Sequence, residues 1–204
     1  MKEYRKGEKV FDKVYPILMT FYLFLKILPE FVSRFLWSIS REIPGYFGIG
    51  LRYVLLKRLA KECGKNVSVM SSVYLHIGKN LKIGSHISIR EDCYIDGDNL
   101  EIGDNVMISH SSSIITGSHY YDKNKPMRDT LKDTPVKIGD NVWIGSGARI
   151  IGETTIGDDV IIAANAVVIK PVPSNVVVAG VPAIIVRRLD EDKVNEYKNQ
   201  QQNR

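Results

Sequence analysis

Branched aliphatic residues return every six positions through most of the chain between Ile77 and Lys170. A second apolar residue often stands two positions earlier, and Gly-Asp-Asn or Gly-Lys-Asn recurs between these pairs. Each hexapeptide therefore predicts a very short strand followed by a turn. The repeated positions are Ile77, Ile83, Ile89, Ile95, Ile102, Ile108 and Ile114, followed after a break by Ile138, Ile144, Ile150, Ile156, Ile162 and Val168.

This six-residue period fits neither an α-helix nor a β-sandwich, whose strands are longer and more widely spaced. It predicts an all-β solenoid with three flat faces, in which about three hexapeptides make one parallel coil and the aliphatic column fills the interior. Gly and Asn suit the tight corners, because they adopt left-handed backbone conformations at little cost.

The repeat is interrupted once, between Ile114 and Ile138. Two hexapeptides account for half of the 24 residues from one isoleucine to the other, so residues 120–131 must leave the coil as an external loop. A long insertion into a regular solenoid is typically functional.

Three helices are predicted before the repeat, over Val14–Leu28, Phe31–Ile39 and Ile49–Lys61. The third has the pattern of a basic amphipathic helix, which would close the open end of the first coil. The first would rise about 22 Å, short of the roughly 30 Å hydrocarbon core, so a conventional membrane span is not expected.

Two interpretations of residues 10–62 remain open. Their apolar faces either pack on the solenoid or on another subunit, or lie in the interface of a bilayer. In the second case Trp37, Tyr15 and Tyr22 would be interfacial anchors. The cations expected to meet lipid phosphates are Lys13, Lys26, Arg34 and Arg41.

The basic charge of this arm can meet nucleic acid or anionic lipid, and its abundant Phe, Leu and Trp favour lipid. The net charge is +5, but residues 1–62 contain 12 Lys and Arg against 6 Asp and Glu, a balance of +6, which leaves −1 elsewhere. The only two cysteines, Cys63 and Cys93, lack metal-site or disulfide-framework spacing, so a reducing, cytoplasmic setting is expected.

The chain thus divides into a helical, basic and apolar extension (1–62), a solenoid domain (63–189) and a polar tail (190–204). After Val168 the repeat dissolves at Pro171 and Pro173, and Val176–Val178 predicts a last strand. A short terminal helix that frays is predicted from Leu189 onward.

His119 is the strongest candidate for chemistry, because it stands where the coil gives way to the loop. A neutral imidazole can take a proton from a hydroxyl group, and this junction would hold it on a rigid element beside a mobile cover. A surface histidine is the alternative.

Together, the repeat, the Ser118-His119 junction and the block from Ile138 to Ser146 resemble the hexapeptide-repeat acyltransferases. The resemblance is strongest to the polysaccharide, maltose and galactoside O-acetyltransferase branch. It implies a left-handed parallel β-helix, acetyl-CoA as co-substrate, no metal, and a homotrimer with active sites between neighbouring prisms.

The same resemblance implies specific roles for residues. His119 would be the general base, Trp143 would line the acyl-donor slot, and the amide of Ser146 would face the thioester oxygen. Plain packing or a trimer contact is the alternative for Trp143, and a solvated surface position for Arg187. The predicted coenzyme A contacts are Trp143, Gly145, Ser146, Ala163, Ala164, Lys170 and Arg187.

Arg90-Glu91-Asp92 departs from the family pattern, because the disaccharide-acetylating branches of the family carry an Asn-Phe-Asn type of element at the acceptor. Acceptor contacts therefore cannot be carried over to this chain. We nevertheless expect an acetyl-CoA-dependent O-acetyltransferase of a sugar hydroxyl in cell-surface polysaccharide biosynthesis. If the arm meets the inner face of the cytoplasmic membrane, the glycan would be lipid-linked.

Three other functions remain to be distinguished. The acceptor could be the amine of an antibiotic or an amino sugar. A zinc carbonic anhydrase uses the same fold, but its paired histidines stand five residues apart, whereas His110 and His119 are nine apart. A non-enzymatic scaffold would have no use for a Ser-His junction at a loop.

Overall fold

Helices precede the solenoid in the computed structural model, which describes residues 6–189, with side chains from residue 9. They are α1 (Lys6–Ile27), α2 (Glu30–Ser40) and α3 (Gly45–Leu59). Helix α1 begins earlier than the apolar run that starts at Val14, because Phe11 extends its packed face by one turn. The predicted terminal helix and the polar tail lie outside the described residues.

Short strands make up the rest of the described chain. In chain order they are β1 (Glu62–Cys63), β2 (Val67–Val69), β3 (Tyr74–His76), β4 (Lys82–Ile83), β5 (Ile87–Ile89), β6 (Tyr94–Asp96), β7 (Leu100–Ile102), β8 (Met107–Ile108), β9 (Ser113–Ile115), β10 (Gly117–His119), β11 (Leu131–Asp133), β12 (Val136–Ile138), β13 (Trp143–Ile144), β14 (Arg149–Ile151), β15 (Thr154–Ile156), β16 (Val160–Ile162), β17 (Val167–Val168), β18 (Val176–Ala179) and β19 (Ile184–Arg188).

Three flat sheets form the walls of a prism, and the chain visits them in turn. Sheet A contains β1, β4, β7, β12 and β15; sheet B contains β2, β5, β8, β13, β16, β18 and β19; sheet C contains β3, β6, β9, β14 and β17. Within each wall, successive coils pair in parallel, so the predicted parallel β-solenoid is confirmed. Strand β19, which the sequence did not predict, pairs antiparallel with β18.

The predicted aliphatic column lies inside the prism. On sheet B, Ile89, Ile108 and Ile144 pair in register on successive coils, and all three are fully buried. Burying a side chain of this size stabilises the fold by roughly 1.5–3 kcal/mol relative to leaving it exposed. The repeat therefore provides most of the core.

The Gly-Asp-Asn corners use their glycine and asparagine for different purposes. Asn105 and Asn141 adopt the left-handed conformation, with φ of 59° and 56°. Gly103 instead lets adjacent coils touch, since a Cβ atom there would lie 2.3 Å from Asp140 Oδ1 and 2.8 Å from the carbonyl carbon of Gly139. The glycine is thus required by the stacking of coils, whereas asparagine suits the left-handed turn, which His86 and Asp159 also adopt at the same corner.

Helix α3 covers the first coil, but it is not the basic amphipathic helix that the sequence predicted. Arg52, in its middle, is buried and donates from Nε to the carbonyl oxygen of Val69 at 2.8 Å. Its Nη1 donates to the carbonyl oxygens of Ser40 at 2.6 Å and Ile43 at 2.8 Å. Burial lowers the pKa of Arg52. The guanidinium group therefore fastens the α2–α3 connection to the solenoid.

The three aromatic residues expected to anchor a membrane interface instead pack toward the protein. Trp37 donates from Nε1 to the carbonyl oxygen of Leu75 at 3.1 Å, and Tyr15 and Tyr22 pack against the buried core. That part of the prediction is wrong, because each helix turns these side chains toward the cap. One face of the extension is thus occupied by the solenoid.

The outer surface of sheet A is a ladder of alternating charges. Lys82 Nζ lies 3.1 Å from Glu101 Oε1 and 3.9 Å from Glu62 Oε1, and Lys137 Nζ lies 3.8 Å from Glu101 Oε2. The hydrogen bond from Lys82 lowers the pKa of Glu101. A ladder of this kind is typical of a solvent-facing wall, which leaves sheets B and C as the less polar faces.

Candidate active site

The external segment is a β-hairpin that leaves the prism at the corner between sheets C and A. Strands β10 and β11 pair antiparallel, with Gly117 opposite Asp133 and His119 opposite Leu131. The excursion therefore begins three residues before the predicted loop boundary at 120 and ends two residues after 131. The hairpin is fixed at its base, where Thr134 Oγ1 donates to the carbonyl oxygen of Thr116 at 2.7 Å.

His119 ends strand β10 with its imidazole exposed. Its Nδ1 lies 2.8 Å from the carbonyl oxygen of Met127. A carbonyl oxygen can only accept, so Nδ1 must carry a proton, and in the neutral ring Nε2 then presents a lone pair. The arrangement gives the ring the tautomer that a general base needs.

A buried threonine holds the carbonyl group that orients His119. Residues Met127–Asp129 form a 3₁₀ turn, and the hydroxyl of Thr130 donates to the carbonyl oxygen of Met127 at 2.7 Å. Thr130 is only 1% exposed although it follows a stretch of exposed residues. Sequence analysis missed it, because a threonine in a polar loop carries no distinguishing signal.

Trp143 lies on the outer face of sheet B, between Met107 and Ile161 on the adjacent coils. Its Nε1 donates to Ser109 Oγ at 3.0 Å, which fixes the ring plane, and 46% of the residue remains exposed. An aromatic side chain that is held in place yet half exposed offers a ready contact surface.

A groove of about 1590 Å³ separates this face of sheet B from the overhanging helices. Its floor includes Ser88, Met107 and Trp143 on the outer face of the sheet. Its roof is apolar. The side chains lining the roof include Val10, Val14, Ile17 and Phe21 from α1 and Tyr46 and Phe47 from α3.

The small residues among the predicted coenzyme A contacts lie together at the corner between sheets B and C. A Cβ atom at Gly145 would lie 2.6 Å from the amide nitrogen of Ala164, so glycine is needed there for packing alone. Ser146 is exposed at the tip of this corner, and Ala163 and Ala164 occupy the same corner one coil later. These residues leave the backbone accessible.

The amide of Ser146 donates no hydrogen bond among the described residues. The equivalent amides of His110 and Ala164 on the adjacent coils are also unpaired within residues 6–189. A free amide is thus a general property of this corner, and the particular role of Ser146 stays a prediction.

The two predicted basic contacts lie apart from each other. Lys170 is exposed just after β17, at the corner between sheets C and A. Arg187 on β19 is opposite Val177 on β18, so the two side chains share the outer face of sheet B. Arg187 is exposed. The contacts of Lys170 and Arg187 with coenzyme A stay predictions.

One chain does not bring the predicted catalytic elements together. His119 leaves the prism between sheets C and A, whereas Trp143 lies on sheet B and Ser146 lies between B and C. In a three-sided prism, the corner that holds His119 is therefore different from the corner that holds Ser146 and from the face that holds Trp143. A single site containing all three would need two copies of the chain.

The departure at Arg90-Glu91-Asp92 forms a charged cluster that sequence analysis did not foresee. Glu91 Oε2 lies 3.2 Å from Arg90 Nε and 3.2 Å from His110 Nε2. The cluster is beside the Ser146 corner, since the Gly147 amide donates to the carbonyl oxygen of His110 at 2.9 Å. A polar ligand at this corner would meet charged groups.

The histidines and cysteines do not assemble into a metal centre. No group of three or more His, Cys, Asp or Glu side chains suited to a metal ion occurs within the described part of the chain. Burial raises the pKa of Cys63 to about 11 and also raises that of Cys93. Both thiols are therefore protonated and unreactive near neutral pH.

A family profile described as bacterial transferase hexapeptide (six repeats) matches residues 135–170. The galactoside O-acetyltransferase of Escherichia coli strain K12 is 35% identical over 150 residues, which cover 72% of this chain and 74% of the relative. WcaF of the same strain, provisionally named a colanic acid biosynthesis acetyltransferase, is 32% identical over 138 residues, covering 67% and 74%.

The same similarity is found among solved structures. The hexapeptide-repeat acetyltransferase VCA0836 from Vibrio cholerae O1 biovar eltor, solved with acetyl-CoA, superposes with a TM-score of 0.69 at 31% identity. The match covers 78% of this chain and 86% of that one. The solenoid described above is accordingly a left-handed parallel β-helix with an added helical layer.

Proposed function

This chain belongs to the hexapeptide-repeat acyltransferases, and we propose that it transfers an acetyl group from acetyl-CoA to a hydroxyl group of a sugar, with His119 as general base. The relatives support the acetyl donor and the sugar class, since they are named as galactoside and colanic acid acetyltransferases, and a structural neighbour was solved with acetyl-CoA.

The observation that carries the proposal is the hydrogen bond from His119 Nδ1 to the carbonyl oxygen of Met127. It directs the lone pair of Nε2 outward from an exposed position at the edge of the prism. A neutral imidazole of that tautomer is suited to accept a proton from a hydroxyl group near neutral pH.

In the proposed reaction, His119 Nε2 takes the proton of the acceptor hydroxyl while its oxygen attacks the thioester carbonyl carbon. The carbon–oxygen bond forms, and the negative charge moves onto the carbonyl oxygen, where the exposed Ser146 amide can donate to it. Collapse breaks the carbon–sulfur bond. The thiolate of coenzyme A leaves and receives the proton from His119.

The protonated state of the two cysteine thiols favours direct transfer of the acetyl group to the acceptor over a covalent acyl-cysteine intermediate. A thiol must ionise to attack a thioester, and burial disfavours the thiolate at Cys63 and at Cys93. The acceptor oxygen is then the nucleophile, activated by the histidine.

A site shared between copies would solve the separation of His119 from Trp143. We propose a homotrimer in which the hairpin of one chain approaches the sheet B groove of the next. The groove supports this, because it is open and apolar and already contains Trp143 on its floor. A flat solenoid face cannot enclose a coenzyme alone, whereas two facing prisms can.

We further propose that the acceptor is a glycan of cell-surface polysaccharide assembly, acetylated in the cytoplasm where acetyl-CoA is supplied. The colanic acid relative supports the substrate class. The charged Arg90, Glu91 and His110 cluster supports an acceptor different from simple galactosides or maltosides, because charged groups replace the family's amide and aromatic element.

The test is to incubate the purified protein with acetyl-CoA and a panel of galactosides, maltosides, amino sugars and lipid-linked oligosaccharides. We expect one acetyl group on the product, removed by mild alkali as an ester is. An alkali-stable product would show amine acetylation and overturn the proposed hydroxyl acceptor. Release of coenzyme A without an acetylated acceptor would overturn sugar transfer altogether.

A further inference from the structure

The corner between α1 and α2 exposes a continuous set of large apolar side chains. Ile27 and Phe31, on either side of the turn, are 81% and 71% exposed. We call this set the corner patch; it consists of Leu23, Phe24, Ile27, Phe31 and Phe35. A soluble surface rarely leaves so many neighbouring large apolar residues without a partner.

The corner patch adjoins the groove over sheet B without lining it, since Phe24 stacks on the groove residue Phe21 with ring centroids 6.4 Å apart. Helix α1 contributes Val10, Val14, Ile17 and Phe21 to the groove, whereas none of the corner patch residues lines it in the described structure. The most exposed patch residues, Ile27 and Phe31, lie at and beyond the end of α1, past the groove residue Phe21, so a second prism placed over the groove would not need to contact them. The proposed trimer therefore does not account for it.

Cations surround the patch. Lys26 follows Phe24 by two residues and Arg34 precedes Phe35, whereas Lys13 is exposed on α1 ten residues before Leu23. Arg34 remains about half exposed, although it pairs with Glu30 and donates from Nη1 to the carbonyl oxygen of Ile77 at 3.3 Å. Residues 1–62 carry a net charge of +6, from 12 cationic against 6 anionic side chains, while the remaining residues carry −1. Cations around an apolar patch complement an anionic lipid surface.

The patch is suited to lie on a bilayer rather than to cross it. None of the helices within residues 6–189 combines the length and apolar character needed for a span. Trp37, Tyr15 and Tyr22 hold the inner faces of α1 and α2 on the solenoid cap, so only the outer faces are free. A shallow apolar face of this kind inserts among headgroups.

We propose that the corner patch docks this protein on the surface of an anionic phospholipid bilayer. Because the helices cap one end of the solenoid, the patch is at an end of the prism, and docking there leaves sheet B free to face a neighbouring prism. In the proposed trimer, three parallel prisms would present three patches on the same side, and their binding would be multiplied by avidity. The docking itself does not depend on the proposed reaction.

Vesicle flotation of the full-length protein tests the docking. We expect it to float with vesicles of phosphatidylglycerol and phosphatidylcholine at low salt, and to bind vesicles of phosphatidylcholine alone at least about tenfold more weakly. Salt near 0.5 M should weaken binding to the anionic vesicles by screening. Equal flotation with both vesicle types, or no flotation with either, would overturn the proposal.

Substitutions identify the surface responsible. The triple variant Ile27→Gln/Phe31→Gln/Phe35→Gln should lose at least about tenfold in vesicle binding. The matched control Ile184→Gln/Val186→Gln removes exposed aliphatic residues from β19, at the other end of the prism, and should float like the wild type. Equal losses in both variants would overturn the assignment to the corner patch.

A second variant guards against misfolding of the first. Lys13→Glu/Lys26→Glu alters two exposed cations and should weaken anionic-vesicle binding while the circular dichroism spectrum and the sedimentation coefficient are unchanged. If the triple variant instead changes the oligomeric state in sedimentation, the patch is a contact between copies. Lipid docking would then be overturned.

Discussion

His119 Nδ1 lies 2.8 Å from the carbonyl oxygen of Met127, eight residues further along the same hairpin. The backbone of the hairpin, and not a carboxylate, therefore fixes the tautomer of the imidazole. The same carbonyl oxygen also accepts the hydroxyl of Thr130. The orientation of the proposed base depends on a local turn, which can be altered without touching the prism.

Replacing His119 by alanine should lower kcat by a factor of about 10²–10⁴, the usual contribution of a general base. The residue is exposed on the hairpin and lies outside the aliphatic column, so the thermal midpoint and the Kd for acetyl-CoA should remain near wild type. Steady-state kinetics and calorimetric titration measure these quantities. Turnover above a tenth of the wild-type rate would remove His119 as the base.

The matched control for this variant is His76→Ala. His76 is also exposed, and its Nε2 lies 3.6 Å from Asp98 Oδ2. Both residues line a small pocket with Asp133 at the base of the hairpin, whereas His119 is held by the Met127 carbonyl group. We expect activity within a factor of about two of wild type, because loss of a weak surface ion pair changes little.

Thr130→Val should lower kcat about tenfold without changing KM for acetyl-CoA. The substitution keeps the shape of the buried side chain but removes the hydroxyl that holds the Met127 carbonyl group, a loss of roughly 1 kcal/mol or somewhat more. Thr130→Ser should restore the rate. If both variants are stable and equally active, the turn does not position His119.

A site shared between copies predicts complementation between two impaired variants. Trp143→Ala should raise KM for acetyl-CoA about tenfold, because the ring held by Ser109 is lost from the groove floor. Mixed trimers of His119→Ala and Trp143→Ala, formed by co-expression, would contain some sites with both residues intact. At acetyl-CoA concentrations well below KM, their activity should exceed that of either parent.

Sedimentation of the wild type provides the control for complementation, with a single species of three chains expected. A monomer that retains full activity would contradict both the trimer and the shared site. Mixed trimers no more active than the average of the parents would place His119 and Trp143 in separate sites.

Arg52→Leu should lower the free energy of unfolding by roughly 3–5 kcal/mol. Three carbonyl oxygens lose a charged donor in a buried position, and leucine cannot replace it. The exposed Arg41, which pairs with Glu42, provides the control Arg41→Leu, with a change below about 0.5 kcal/mol. Denaturant unfolding distinguishes them, and similar losses would contradict the anchoring role of Arg52.

The repeat made the solenoid predictable because its period is a direct consequence of coil geometry. Positions such as Ile89, Ile108 and Ile144 must face inward for the coils to stack, and the structure confirms it. His119 could be singled out for a similar reason, since the break in the repeat marks where the chain leaves the wall.

Features that depend on long-range partners could not be predicted in this way. The burial of Arg52 depends on carbonyl groups from α2 and β2 whose position only the folded chain defines. Thr130 matters because a turn brings it to Met127, and Trp37 packs inward because Leu75 offers an acceptor. Hydrophobic periodicity contains no information about such polar contacts.

Strand β19 has a consequence for the assembly state that the repeat alone would not suggest. It runs antiparallel along β18, and all five of its residues, including Arg187 and Arg188, are exposed. A solenoid ending on a bare parallel strand could extend end to end into filaments, whereas a reversed, positively charged rim repels the next molecule. We therefore expect this antiparallel strand to disfavour end-to-end polymerisation of the solenoid.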